Sequence, residues 1–215
     1  MIASSFLTMP SSHKFSRPLC IALTGGPGGG KSTVGDLFAR EHRQGVRLLP
    51  EAASLLFSGG FERRTEPAAV RAAQTAIYQV QLQLEAMNAA LYPRDLLLCD
   101  RGTVDGAAYW PGAPAAFFRH LGTTIEAEFA RYDAVIFMQS AAAGGLGIDG
   151  GNALRNESIL QAQALDRRLM RLWSRHPRFV LVRHQSSFIA KIGAAMQAIE
   201  ALCAKTSSRP WAATC

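Results

Sequence analysis

LTGGPGGGKSTV, residues 23–34, places five glycines and a proline ahead of Lys31 and Ser32. The spacing Gly25-x-x-x-x-Gly30-Lys31-Ser32 is that of a phosphate loop. Glycines let successive backbone N–H groups turn inward around an anion, because no Cβ blocks the dihedrals this needs. Lys31 would reach the terminal phosphates and Ser32 would offer an oxygen to Mg²⁺. A merely flexible turn has no use for the Lys-Ser pair. The candidate nucleotide-binding set is therefore Gly25, Gly26, Pro27, Gly28, Gly29, Gly30, Lys31, Ser32 and Thr33.

The flanks supply the context this loop requires. LCIALT (19–24) reads as a strand, and a helix is expected from Lys31 to Glu41, its positive end facing the loop. Further apolar runs follow at 46–50, 95–100, 133–138 and 178–184. Those at 95–100 and 133–138 are continuous rather than alternating, as in parallel strands covered on both faces. Helical patterns fill the gaps, so a doubly wound α/β domain is expected. The longest helix spans about 67–92, with Pro67 in its first turn. Its apolar repeat, Val70, Ala73, Ile77, Val80, Leu84, Met87 and Leu91, predicts the buried face. Beside it Gln74, Tyr78, Gln81 and Glu85 form a polar stripe, either a solvated face or a surface that reads an acceptor. Helices are also expected from Asn156 to Arg175 and over 187–205, the latter opened by Ser186 or Ser187.

Composition bounds the partners. The chain has 215 residues, 48% apolar and 18% charged, which suits one soluble domain. Residues 1–17 and 206–215 read as tails around a domain at 18–205, with Met9 an alternative start. No apolar run approaches the ~20 residues of a transmembrane helix. The net charge of +7 is dispersed, which favours small anions over nucleic acid. Cys20, Cys99, Cys203 and Cys215 have no paired or metal-like spacing, and a reducing cytoplasmic setting is expected.

Two acidic positions follow strands. Asp100 ends LLLCD and is placed to hold Mg²⁺, with Arg101 beside it for a phosphate or acceptor. Glu51 follows the second strand; it either takes a proton from an attacking hydroxyl or caps the next helix.

In order, LTGGPGGGKST, PEAASLLFSGGF, CDRGTVDGAAYWP, RYDAVIFM, NALRNES and WSRHPRFVLVR carry a wider likeness. Over about 19–193 the chain resembles the AAA-type P-loop family that groups the ribosylnicotinamide-kinase domain of the NAD regulator with the TRPL translocation defect protein. The resemblance implies a three-layer P-loop NTPase resembling nucleoside and nucleotide kinases, with a five-stranded parallel sheet in the order 2-3-1-4-5 and a mobile lid. It implies that Glu51 acts as base and that Asp100 and Arg101 bind acceptor or phosphate, with Asp105 joining them. The lid would lie within 140–158, where Arg155, and Arg167 or Arg168 beyond it, would meet the transferring phosphate or stand as solvated arginines. Its first part lacks the aromatic and acidic residues such a lid would carry. Phe57, Phe61, Tyr109 and Trp110 would stack on a base or pack the core.

The catalytic set is thus Lys31, Glu51, Asp100, Arg101 and Arg155, with Ser32 and Asp100 on the metal. Two functions fit: an ATP- or GTP-using kinase acting on a small nucleoside-like or phosphate-bearing acceptor, or a nucleotide-dependent switch that contacts proteins or acidic phospholipids. No Asn-Lys-x-Asp guanine signature selects the base.

Overall fold

The computed structural model describes residues 17–141 and 159–204. Five strands, β1 (Leu19–Thr24), β2 (Val46–Leu49), β3 (Leu96–Asp100), β4 (Ala134–Met138) and β5 (Phe179–Val182), form one sheet in the order β2-β3-β1-β4-β5. Every pairing is parallel. Alternate residues of each run face opposite layers, which explains their continuous apolarity. Cys20, Ala22, Leu97, Cys99, Val135 and Phe137 face one core, while Ile21, Leu23, Leu96, Leu98, Ile136 and Met138 face the other.

The second core is closed by α1 (Lys31–Glu41) and α8 (Phe188–Ala204), through Val34, Phe38, Ile192, Ala195 and Ile199. The first is closed by α3 (Pro67–Leu91), α4 (Gly106–Tyr109), α5 (Pro114–Leu121), α6 (Ile125–Phe129) and α7 (Ile159–Trp173), with Phe117, Phe129 and Trp173 at its centre. A short α2 (Ala52–Ser58) follows β2. The sequence expectation of a three-layer domain with this strand order holds. Because β1 lies between β3 and β4, the chain reverses direction across the sheet there. Ligands of such sheets bind outside the carboxyl ends of the strands at that point.

One expectation about α3 is overturned. Its buried residues are Gln74, Tyr78, Gln81 and Glu85, so the polar stripe is not a solvated face. Met87 and Leu91, assigned to the buried face, are 52% and 62% exposed. Buried polar groups cost little when they find partners, and Tyr78, Gln81 and Glu85 do. Glu85 accepts from Gln81 Nε2 at 2.9 Å, Tyr132 Oη at 2.7 Å and Arg131 Nη2 at 2.6 Å. Tyr78 donates to Glu128 Oε1 at 2.8 Å. Val70, Ala73 and Ile77 instead line a cavity.

Candidate active site

The loop between β1 and α1 lies at the switch point, and its carbonyls are held outward by donors from four directions. Lys31 Nζ donates to Gly25 O at 3.0 Å and to Gly26 O at 2.9 Å. Arg101 Nη1 reaches Gly25 O at 3.2 Å, Ser140 Oγ donates to Pro27 O at 2.6 Å, and Lys191 Nζ donates to Gly29 O at 2.7 Å. A carbonyl turned out leaves the adjoining amides to face an anion. Gly25 is required by packing: at φ 128°, an added Cβ would overlap the Met138 carbonyl. Gly30, at φ 87°, caps α1 in the left-handed conformation that glycine adopts at no steric cost.

Asp100 and Ser32 meet as expected. Ser32 Oγ donates to Asp100 Oδ2 at 2.5 Å, while Asp100 Oδ1 is buried with no hydrogen-bond partner. An orphaned buried carboxylate oxygen beside a hydroxyl is a donor set that suits Mg²⁺, a hard cation that takes oxygen ligands. Burial raises the Asp100 pKa above its ordinary value, against the pull of Lys31, the Ser32 hydroxyl and Arg101. The raised value favours the protonated form in the fold, so ionised Asp100 becomes a burden as pH rises through the carboxylate range. Asp100→Asn is therefore expected to stabilise the ligand-free protein by about 1 kcal/mol, or about 2–4 °C in melting temperature. The same variant should lose the extra ATP-dependent stabilisation that Mg²⁺ provides over EDTA. Thermal melts with ATP, with and without Mg²⁺, check both signs; a less stable variant that keeps its Mg²⁺ response would contradict this reading.

Arg101 turns the other way, at φ 82°, the one left-handed residue other than glycine among those described. Such a conformation in a long side chain marks a functional or strained position. Its Nε donates to Glu51 Oε1 at 2.6 Å and its Nη1 to Asp105 Oδ2 at 2.9 Å. Burial opposes its charge, but Tyr109, Glu51 and Asp105 outweigh burial and hold its pKa well above the ordinary value. Glu51 sits at the N-cap position of α2, yet its side chain makes no capping bond. Its other oxygen accepts from Ser54 Oγ in the first turn of α2 at 2.6 Å, and the side chain lines the cavity described below. Asp105 also accepts from Thr24 Oγ1 at 2.8 Å and Trp173 Nε1 at 2.6 Å, making it a buried tie between sheet and α7.

A cavity of about 680 Å³ opens beside these groups, within the size range of small-molecule sites. Pro27 of the loop, Glu51, Arg101, Gln74, Tyr78 and Gln81 all line it, with Arg63, Arg64 and Arg168 among its charged residues. Phe57 and Tyr109 line it too, whereas Trp110 is a core residue packed edge-on against Phe117, and Phe61 is exposed. Arg167 is exposed on α7. Arg155 and positions 142–158 of the expected lid lie outside the described residues.

The sequence reading missed Asp166, Ser140 and Lys191. Asp166 Oδ1 accepts from Gly26 N at 2.8 Å and Ser140 N at 3.1 Å, joining the loop to the end of β4. Asp166 and Lys191 did leave a signal: each is a charged residue on an otherwise apolar helix face, beside Leu165 and Leu169 and beside Ile192 and Ala195.

A family model described as "AAA domain" matches residues 20–188 of the chain. The chain belongs to this AAA domain family. No curated protein sequence matches it. Among solved structures, the AAA domain resembles the deoxyadenosine kinase of M. mycoides with bound dATP. The TM-score is 0.61 at 13% identity, covering 84% of this chain and 99% of that one. The same kinase with products dCMP and a flexible dCDP gives a TM-score of 0.58 at 11% identity, covering 85% and 100%. At these identities the likeness is one of fold. Among the described residues, no helix of this AAA domain is long and apolar enough to cross a membrane.

Proposed function

We propose that the chain is an Mg²⁺-dependent phosphotransferase that moves the terminal phosphoryl group of ATP or GTP to a small nucleoside-like or phosphate-bearing acceptor. The observation that carries this reading is one cavity that runs from Pro27 of the phosphate loop, past Glu51 and Arg101, to the buried polar stripe of α3. A bare nucleotide switch has no need of a cavity that extends from its phosphate loop to a row of polar side chains.

Phosphoryl transfer requires mostly positioning and charge neutralisation. The loop amides would bind the donor phosphates, and Lys31 would exchange its two loop carbonyls for phosphate oxygens. Ser32 and Asp100 would hold Mg²⁺, which when bound neutralises phosphate charge. Glu51, held at the edge of the cavity by Arg101, would orient an acceptor hydroxyl by accepting its hydrogen bond. Gln74, Gln81 and Tyr78 would offer donors and acceptors to a base or sugar. Arg63, Arg64 and Arg168 would favour an acceptor that also carries negative charge.

Incubation of the purified protein with MgATP or MgGTP and a panel of nucleosides and nucleoside monophosphates tests this. Acceptor-dependent release of ADP or GDP with a phosphorylated product is expected. Tight nucleotide binding without product from any acceptor would instead support a nucleotide-dependent binding switch.

A further inference from the structure

Lys191 lies on α8, beyond the last strand and 160 positions from Lys31, as their numbers show. Its side chain is nevertheless brought to the phosphate loop. It is 3% exposed, and its Nζ donates to Gly29 O at 2.7 Å and to Gln139 O at 2.5 Å. Both partners are neutral carbonyls, and among the described residues no carboxylate touches the ammonium. We propose that Lys191 is a positioning residue of the nucleotide site, holding the Gly29 carbonyl turned away from the phosphates while lending them a second ammonium charge from behind the loop. This rests on the phosphate-loop reading above.

A buried ammonium without a contacting anion is expensive, and desolvation lowers the Lys191 pKa to about 8, with only partial relief from Asp166. The elements around it bring little else. β4 has no titratable side chain, and β5 has none before Arg183 and His184. α1 contributes Lys31 at the loop, with Asp36, Arg40 and Glu41 exposed, and α7 contributes Asp166. A bound polyphosphate would be the missing counter-charge. Even the neutral amine keeps two N–H donors for the two carbonyls, so deprotonation removes the charge while the hold on Gly29 persists.

Two signs follow. With the folded pKa lowered from 10.5 to about 8, the unfolded chain binds more protons across that window. The Lys191 contribution to ligand-free stability therefore rises with pH there. Affinity for anionic nucleotide should fall over the same window. General alkaline damage to the fold would move both downward.

Calorimetry of MgATP binding to the full chain, in buffers of different ionisation heat, tests this. At about pH 8.5 the wild type should take up roughly half a proton, as a rise of about one pKa unit on binding requires. Lys191→Met should abolish that uptake and weaken binding about tenfold near pH 7. Lys191→Arg, which keeps charge and donors but does not titrate, should bind within about threefold of wild type with no uptake. Binding by the wild type without uptake, or uptake that persists in Lys191→Arg, overturns this proposal alone. No MgATP binding by the wild type overturns the phosphate-loop reading beneath it as well.

Discussion

Lys31→Ala is expected to weaken ATP binding by at least about 100-fold, the loss of two charge-assisted contacts to phosphate. Lys31 is 4% exposed, and its ammonium rests on the carbonyls of Gly25 and Gly26. It is thus stored at the mouth of its own loop, ready to exchange two neutral acceptors for charged ones. Charged acceptors bind it more strongly, so the exchange favours the nucleotide complex. Removing the side chain also strips those carbonyls of a donor. The ligand-free variant should therefore lose about 1–2 kcal/mol of stability, and binding must be measured well below its melting temperature. Equilibrium dialysis with labelled ATP, alongside a urea melt, separates the two losses. Affinity within threefold of wild type would remove the nucleotide site from this loop.

Much of this was legible because the chemistry is local. The loop, its lysine and its serine lie within nine consecutive residues, and the strand and helix around them begin and end where the sequence predicts. The inner strands were legible because burial on both faces leaves no polar position inside β1, β3 or β4 before its last residue, whereas the edge strand β2 carries Arg47. Failure came where partners arrive from far along the chain. On α3, Gln81 and Glu85 look solvent-facing until Arg131 and Tyr132, 46 and 47 positions from Glu85, complete the network. Glu51 stood equally as base or helix cap, and only the approach of Arg101 from β3 shows which way it turns. No pattern rule reveals the left-handed backbone at Arg101, since the residue type argues against it.

The phosphate loop thus depends on more of the chain than its motif. Arg101 after β3, Ser140 after β4, Asp166 of α7 and Lys191 of α8 each hold one peptide group of the loop. Closure of α7 and α8 against the sheet therefore shapes the cradle. The residues following β4 reach the loop through Ser140 and Asp166 together.

Arg101→Ala is expected to cost about 3–5 kcal/mol of stability, the range for breaking a buried ion pair by removing one partner. The guanidinium is 9% exposed, against 14% for the Glu51 side chain and 5% for that of Asp105. Without it, both carboxylates keep their hydroxyl or indole donors but lose the guanidinium between them. Arg101→Gly separates charge from backbone. It loses the same ion pairs but accepts φ 82° freely, and should be about 1 kcal/mol more stable than the alanine variant. Urea unfolding of the three proteins at pH 7 reads both terms. A deficit below about 1 kcal/mol at pH 7 would make this pair no stronger than an exposed salt bridge. Glycine and alanine variants of equal stability would mean that the left-handed backbone carries no strain. With both effects present, Arg101 is a strained cation clamped between Glu51 and Asp105, and the orientation of Glu51 toward the cavity depends on it.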